Sequence, residues 1–354
     1  MDFFKISFLN NWKIISTQHN DILLVSEKIG ECWEIQIPIG QKYYLPENQY
    51  CYTSPGTLEK NIWIPKIIPL RKTSLLFIGE APKYLVKLHV DIMLEGKGNI
   101  ELLELQMPFN KDIIDINSNM QKKIRPSSEN NKIIFRKKNI PSFGKLTLEI
   151  NFIFKPRIIN VDENWGSLKD IPPRLQQKYT QKMRLWRLPI QIEQDLMQEV
   201  QLYLEKDLSY LLSIIFSFVR KMIVPEKQER RKGVGSLFRE KQLIGDCDEY
   251  TDLFIGCCRH LKIPIRRVTG IYYSKDLQEQ EMHAWSEVYA PNLNEWIIMD
   301  VAMFYFGFQS IRHIPIKIEG TTDHRTDLKV LLRKGQVRDF KYEIDWKPPE
   351  ISII

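Results

Sequence analysis

The hydrophobic periodicity of the chain changes between its two halves, and this change limits the folds open to it. Before Pro156, apolar and polar residues alternate, as in segments 84–93 and 146–154. After Pro189, apolar side chains recur at four-residue steps, at Ile192, Leu196, Val200 and Leu204. A period of two is typical of half-buried strands, and a period near 3.6 is typical of helices. The sequence therefore predicts an α+β protein, with strands in the first half and helices in the second.

The alternating region predicts an antiparallel β-sandwich over residues 78–158. Within it, residues 95–99 place two glycines and polar residues between alternating segments, which predicts a hairpin leading into residues 100–107. Residues 1–77 are also rich in strand-forming residues, but prolines interrupt them. These first residues can form a separate small module or add strands to the sandwich, and the sequence favours neither.

The second half is predicted to contain a linker over residues 159–189, a core over 190–314, and an extension over 315–354 packed on that core. Within the core, the apolar stretch 208–219 is too short to span a bilayer and predicts a buried helix. In the extension, residues 341–346 predict a strand at the edge of a sheet.

The segment 226–235 contains a run of charged residues and two glycines, which predicts a mobile, solvated loop. Its basic residues Arg230, Arg231 and Lys232 could also form a nucleic-acid-binding patch. No aromatic residues are interleaved with these charges, as a stacking platform for bases would require. We therefore favour the solvated loop.

The composition excludes several classes of protein. A length of 354 residues exceeds what one hydrophobic core usually organises, so two or three domains are expected. The hydrophobic fraction of 43% and the charged fraction of 27% match soluble globular chains, and exclude a disordered chain or a multi-span membrane protein. The net charge of +7 is spread over a large surface, so neither a nucleic-acid partner nor a membrane partner is expected.

The cysteine pattern favours a reducing compartment. Five cysteines in a chain of this length are an odd and sparse set, which does not suit a disulfide framework. No CxxC pair occurs, so a thiolate zinc site is not expected. The first residues lack the pattern of a signal peptide. We therefore expect a cytoplasmic location.

The stretch from Gly245 to Leu261 carries the strongest chemical signal. Its apolar residues have helical spacing, and Asp246 with Glu249 three residues later forms an acidic capping box, so a helix is predicted to begin at Cys247. A thiol in the first turn feels the positive end of the helix dipole, which favours the nucleophilic thiolate. Asp248 and Glu249 oppose this effect, so a cationic partner is needed.

A histidine on a later strand offers that partner. Residues 282–289 and 295–301 have strand patterns and are joined by a short turn, which predicts an antiparallel hairpin. A two-residue loop places Asp300 directly opposite His283, and a four-residue loop places the two diagonally. Either even-length loop projects both side chains from one sheet face. An imidazole oriented by a carboxylate and facing Cys247 would supply base, orienter and nucleophile.

The remaining cysteines and histidines have simpler interpretations. A cysteine on an apolar helical stripe usually serves packing, and Cys257 and Cys258 are assigned that role. A lone histidine is usually a surface residue or a core residue with satisfied hydrogen bonds. That interpretation is given to His19, His89, His260, His313 and His324.

Four blocks in order resemble the transglutaminase-like core, namely Gly245–Asp248, Cys258–Gly270, His283–Tyr289 and Trp296–Asp300. The resemblance covers roughly residues 190–302. It implies a papain-like arrangement of helices packed on an antiparallel sheet, with Cys247 as nucleophile, His283 as general base and acid, and Asp300 as orienting carboxylate. The preceding strand-rich region, with Leu105–Pro108, resembles the N-terminal sandwich of many prokaryotic members.

The resemblance has two open points. Members usually complete the oxyanion hole with an upstream side chain, and both Gln242 and Trp186 are candidates that the spacing does not separate. The blocks around Cys257 and His283 are also similar to cytoplasmic peptide N-glycanases. Those enzymes carry paired CxxC zinc ligands that are absent here, so that assignment is disfavoured.

The resemblance and the residues together predict amide acyl transfer through an acyl-enzyme on Cys247. Hydrolysis of a peptide or isopeptide bond in a protein or peptide substrate is favoured. Glutamine transamidation, which cross-links proteins, and a non-catalytic interaction module of the same fold are the alternatives. The chemistry requires no cofactor, and the sequence indicates neither cofactor-binding nor metal-binding residues. The oligomeric state is not indicated.

Overall fold

The structure is a computed structural model. It describes residues 4–5, 25–39, 43–44, 51–53, 56–59, 62–71, 73–109, 112–125, 131–156, 164–238, 243–274, 282–308, 310–320, 328–332 and 338–354. His19, Gln242, His324 and the start of the predicted linker lie outside these residues.

The chain divides into two compact units. The first contains residues 1–81, 158–267 and 284–310, and the second contains residues 82–157, 268–283 and 311–354. The domain boundaries predicted from the sequence stay predictions.

The described residues form an α+β structure, as predicted. The strands are β1 (Phe4–Lys5), β2 (Val25–Ile29), β3 (Cys32–Pro38), β4 (Tyr43–Tyr44), β5 (Cys51–Thr53), β6 (Gly56–Glu59), β7 (Ile62–Pro65), β8 (Thr73–Ile78), β9 (Tyr84–Lys97), β10 (Asn99–Phe109), β11 (Ile113–Ser118), β12 (Gln121–Arg125), β13 (Asn131–Pro141), β14 (Gly144–Phe154), β15 (Val224–Pro225), β16 (Ile244–Gly245), β17 (Ile265–Tyr272), β18 (Met282–Ala290), β19 (Glu295–Asp300), β20 (Tyr305–Phe308), β21 (His313–Glu319), β22 (Leu328–Leu332), β23 (Arg338–Trp346) and β24 (Glu350–Ile353). The helices are α1 (Pro173–Tyr179), α2 (Ile190–Val200), α3 (Leu208–Met222), α4 (Val234–Leu237) and α5 (Cys247–His260).

The second unit contains the predicted antiparallel sandwich. One sheet has the strand order β12-β13-β10-β22, and the other has the order β11-β14-β9-β23. In β9, Tyr84, Val86, Leu88, Val90 and Ile92 are buried and alternate with more exposed positions. This period of two arises because successive side chains of a strand point to opposite faces. The apolar face of each sheet therefore supplies the core.

The prediction of a hairpin at residues 95–99 is wrong. β9 and β10 are joined through Gly98, but β9 pairs with β14, β23 and β24, whereas β10 pairs with β13 and β22. Gly98 has a φ of 109°, and its carbonyl accepts hydrogen bonds from the N–H and hydroxyl of Ser142. A short glycine link suits a corner between two sheets as well as it suits a hairpin, and the sequence pattern does not separate the two.

The C-terminal strands extend one sheet of the sandwich. β23 pairs with β9 in antiparallel register, with Ile344 opposite Ile92, and lies at the end of the strand order. The edge strand predicted at residues 341–346 is therefore confirmed. β24 also pairs with β9, at the opposite end of that long strand.

The first unit contains the helices, and their buried faces follow the predicted period. α2 buries Ile192, Leu196 and Val200. The predicted buried helix is α3, whose aspartate cap, Asp207, accepts a hydrogen bond from the Ser209 N–H at 2.9 Å. Among the described residues, we find no helix with the length and apolar character needed to cross a bilayer.

The described strands of the first 81 residues belong to this unit. They form two sheets, β1-β4-β7-β6 and β2-β3-β8-β5. The Tyr305 hydroxyl hydrogen-bonds to Glu34, and the Lys66 ammonium pairs with Asp207 at 2.9 Å. These contacts connect the N-terminal strands to β20 and to the start of α3.

From Ala284 onward, the hairpin that carries the predicted aspartate lies in the same unit. β18 and β19 pair antiparallel, and β20 pairs with β19. The start of β17 lies beside β18, because the Tyr289 N–H donates to the Pro264 carbonyl and Arg266 pairs with Glu287. In the second unit, the end of β17 lies beside β21, since the Tyr273 N–H donates to the Arg312 carbonyl.

Candidate active site

The candidate nucleophile is the first residue of a capped helix. α5 begins at Cys247, and the Asp246 side chain accepts a hydrogen bond from the Asp248 N–H at 3.0 Å. The Asp246 N–H in turn donates to the Glu249 carboxylate at 3.2 Å, which completes the predicted capping box. The Cys247 side chain is half-buried and forms no disulfide. The predicted start of this helix is therefore confirmed.

The other cysteines of the helix lie in the core. Cys257 and Cys258 are both fully buried, and this burial raises the pKa of each thiol. Both thiols stay protonated at neutral pH, which suits the packing role predicted for them. Cys247 therefore differs from its neighbours on α5 in being partly accessible.

The segment from residue 226 to residue 233 is fastened to the start of α5. The Gln228 N–H donates to the Asp246 carboxylate at 2.9 Å, and the Lys232 N–H donates to the Glu249 carboxylate at 3.1 Å. Arg231 is buried and paired with Asp252. The segment is a loop, as predicted, and most of its residues up to Arg230 are exposed, although its end is fastened to α5. The Arg231 side chain is only 8% exposed because Asp252 on α5 binds it, so Arg231 is not available for a basic patch.

A buried carboxylate in the second turn of α5 organises this region. Asp252 is 1% exposed, and it accepts hydrogen bonds from Arg231, from Arg267 at 3.1 Å and from the Trp186 indole N–H at 2.7 Å. A buried carboxylate needs such compensation for its lost hydration. Because the Trp186 N–H is donated to Asp252, this side chain is not free to complete an oxyanion hole. The other candidate, Gln242, lies outside the described residues.

Glu249 is a buried acid within the same helix start. Its side chain is 1% exposed, and desolvation raises the pKa of its carboxyl to about 7, with Asp246 and Asp248 adding like charge. Asp248 is ion-paired with Arg267. The negative charges that oppose a thiolate at Cys247 are therefore weaker than the sequence alone indicates.

The β18–β19 hairpin has the register that the site requires. Ser286 lies opposite Met299 and Ala290 lies opposite Glu295, so the loop between the strands has four residues. In this register, Asp300 falls opposite position 285. His283 precedes position 285 by two residues on β18 and therefore shares its face of the strand. The even loop length predicted from the sequence is confirmed.

Asp300 is held rigidly at the end of β19. Its side chain is fully buried, and it accepts a hydrogen bond from the Met303 N–H at 3.0 Å. The turn that follows is fixed by two arginines. The Arg220 guanidinium lies 3.7 Å from the centre of the Phe304 ring, and Arg71 donates to the Phe304 carbonyl at 3.2 Å. An aspartate fixed in this way has the low mobility needed to orient a partner.

His283 lies in the second unit, as the second residue of β18. It is half-buried. Its ring centre is 5.7 Å from that of Tyr272 and 6.2 Å from that of His313. From the sequence, His313 is expected to be a surface residue or a core residue with satisfied hydrogen bonds, so its place beside His283 is not predicted. The sequence gives little indication of this position, because residue 313 is only the first residue of a segment in which apolar and polar residues alternate.

The helix of Cys247 contacts the strand of His283 one residue further along. The Thr251 hydroxyl, one helical turn after Cys247, donates to the Ala284 carbonyl at 3.1 Å. Both residues are buried and belong to the first unit. Cys247 and Asp300 are thus placed in the first unit and His283 in the second. Their assembly into one triad stays a prediction.

The sequence model of the transglutaminase-like superfamily matches residues 194–301. A search of curated proteins gave no match. Among solved structures, a candidate cysteine protease from Cytophaga hutchinsonii is 12% identical, with 78% of this chain and 99% of that chain covered and a TM-score of 0.49. The periplasmic domain of TgpA from Pseudomonas aeruginosa is 15% identical, with coverage of 77% and 86% and a TM-score of 0.36.

Proposed function

We propose that this chain is an enzyme that transfers acyl groups from amides through Cys247, because the sequence model of the transglutaminase-like superfamily matches residues 194–301. The observation that carries the proposal is the position of Cys247, which is half-buried at the first residue of a capped helix within the matched residues. The positive end of a helix dipole favours a thiolate, which is the nucleophilic form of cysteine.

The proposed reaction has two stages. The Cys247 thiolate attacks the amide carbonyl carbon, and the C–N bond breaks as His283 gives a proton to the departing amine. This leaves a thioester between the acyl group and Cys247. An incoming water or amine then loses a proton to His283 and attacks the thioester, which releases the acyl product and restores the thiolate. Asp300 orients the His283 ring throughout.

The surroundings of Cys247 support a usable thiolate. Asp248 is neutralised by Arg267, and burial favours the protonated form of Glu249. The carboxylates of the first helical turn therefore carry less negative charge than their number suggests. The buried Cys257 and Cys258 on the same helix lack both access and this environment.

Hydrolysis of a peptide or isopeptide bond is the favoured outcome, with water as the acyl acceptor. Transamidation of protein glutamine by an amine is the second candidate, and it differs only in the acceptor. A non-catalytic module of the same fold is the third, but the retained Cys247, His283 and Asp300 argue against it. We further propose a cytoplasmic location and a protein or peptide substrate, without a nucleic-acid or membrane partner.

The test is a substrate screen with the full chain. Peptides, isopeptide-linked peptides and glutamine-containing peptides with a labelled amine are supplied to the protein and to Cys247→Ser. Cleavage that disappears in Cys247→Ser supports hydrolysis, whereas incorporation of the labelled amine supports transamidation. Cys257→Ala is the matched control on the same helix and should keep its activity. Equal turnover by Cys247→Ser and the parent protein would overturn the proposal.

A further inference from the structure

His313 places a second imidazole next to the proposed catalytic histidine. Both rings belong to the second unit, where His313 begins β21 and His283 lies near the start of β18. One ring nitrogen of His283 lies within 4.8 Å of one ring nitrogen of His313, whereas the ring centres are 6.2 Å apart. The two nitrogens thus lie closer together than the ring centres do.

We propose that His283 and His313 together bind a divalent transition-metal ion of the Zn²⁺ type. Neutral imidazole is a preferred ligand of Zn²⁺, Co²⁺, Ni²⁺ and Cu²⁺. With Zn–N bonds of about 2.0–2.1 Å, two tetrahedral ligands have nitrogens about 3.4 Å apart. The upper bound of 4.8 Å exceeds this value, so metal binding would draw the two nitrogens closer together.

The two histidines have complementary roles in such a site. His313 is 2% exposed, and its ring centre lies 5.2 Å from that of Tyr272, which fixes the ring in place. His283 is half-buried, so an ion can reach it from solvent. Two protein ligands leave coordination positions for water, so binding should be reversible and of the open, non-structural type.

The consequence for the reaction rests on the proposed function. A metal ion on one ring nitrogen of His283 leaves the other nitrogen protonated, so the ring has no lone pair left to accept a proton and the bound form should be inactive. The metal would then act as a reversible inhibitor of acyl transfer. The binding site itself does not depend on whether the chain is an enzyme.

The experiment measures metal binding on the full chain in the absence of substrate. Zn²⁺ is titrated by calorimetry, and Co²⁺ is titrated by its visible absorption. The variants are His283→Ala and His313→Phe, the latter keeping an aromatic ring in the buried position. We expect one saturable site in the parent protein and affinity lowered at least about tenfold in both variants. His89→Ala removes a histidine from β9 of the same unit and should bind as the parent does.

The outcomes separate the two proposals. Unchanged affinity in His313→Phe, or an equal loss in His89→Ala, would overturn the metal site whatever the activity. If the parent binds Zn²⁺ through both histidines and the substrate screen gives no turnover, the site stands and only the proposed function fails. If turnover occurs and saturating Zn²⁺ leaves it unchanged, the inhibitory role is wrong.

Discussion

Arg231 and Asp252 form a buried ion pair with two hydrogen bonds, in which Nε and Nη2 of the arginine each lie 2.7 Å from a different carboxylate oxygen. The side chains are only 8% and 1% exposed. Two parallel N–H···O bonds from a guanidinium fix geometry as well as supplying attraction. This pair fastens a charged segment to the second turn of the helix that begins at Cys247.

Replacing Arg231 should destabilise the protein. Arg231→Ala leaves the buried Asp252 carboxylate with Arg267 and Trp186 as its remaining donors. The loss of stability should therefore be smaller than for a buried charge without any partner. We expect a decrease of about 1–3 kcal/mol in the free energy of unfolding, measured by urea titration.

The neighbouring Arg230 provides the matched control for that measurement. It is exposed and carries the same charge one residue earlier. Arg230→Ala should change the free energy of unfolding by less than about 0.5 kcal/mol. Equal effects of the two substitutions would show that the ion pair does not hold the segment on α5.

Glu249 should make stability depend on pH in an unusual direction. Its pKa is about 7 in the folded protein, raised chiefly by desolvation, against about 4.3 in an unfolded chain. Between these values the folded state binds more protons than the unfolded state, so the stabilisation is complete below about pH 4 and is lost as the pH rises through 7.

The reference variant for this prediction is Glu249→Gln, because the glutamine side chain does not ionise. The free energy of unfolding of the parent minus that of the variant should fall as the pH rises from about 5 to 8. Urea titrations at several pH values measure this difference. A difference that grows with pH would mean that the ionised carboxylate, which accepts the Asp246 and Lys232 N–H groups, is the stable form.

Gly245 should resist substitution because the helix start packs directly against it. A Cβ added to Gly245 would collide with the Cβ of Glu249. Gly245→Ala should therefore lower the free energy of unfolding by about 1–3 kcal/mol, measured by denaturant titration. At Gly235, in α4, an added Cβ meets nothing within 4 Å. Gly235→Ala should keep or raise stability, and a comparable loss there would contradict the steric account.

Asp300→Asn should separate activity from folding. The asparagine oxygen can still accept the Met303 N–H, so the turn after β19 should persist, with a loss of about 1–2 kcal/mol. In the proposed mechanism Asp300 fixes the tautomer of His283, which an amide cannot do, so kcat should fall by about two to four orders of magnitude. The value of kcat is measured with the substrate found in the screen. Asp115→Asn, at an exposed position, is the control and should keep the kcat of the parent protein. An unchanged kcat in Asp300→Asn would show that Asp300 is not part of the site.

The sequence predicted the local elements of the site well, because each has a short-range physical cause. The capping box at Asp246 and Glu249 specifies where α5 begins. The four-residue turn before Glu295 sets the register that places Asp300. Alternation and helical spacing likewise predicted the sandwich strands and α3.

The parts that the sequence did not predict depend on residues distant along the chain. The hydrogen bonds of Asp252 with Arg231, Arg267 and Trp186 form only through tertiary packing, and no residue spacing in the sequence predicts this cluster. The same holds for His313 beside His283, and for the corner at Gly98, where a turn signal does not say which sheet the next strand joins.

The central claim is that Cys247 is a nucleophile activated by His283, and its alkylation rate tests this most directly. Iodoacetamide labelling at neutral pH, followed by peptide mapping, gives the rate at Cys247 in the folded protein, in the urea-unfolded chain and in His283→Ala. We predict that Cys247 reacts faster in the folded protein than in the unfolded chain, and that His283→Ala removes this advantage while the fold persists by circular dichroism. A folded-state rate at or below the unfolded rate, or one that His283→Ala leaves unchanged, would contradict the account.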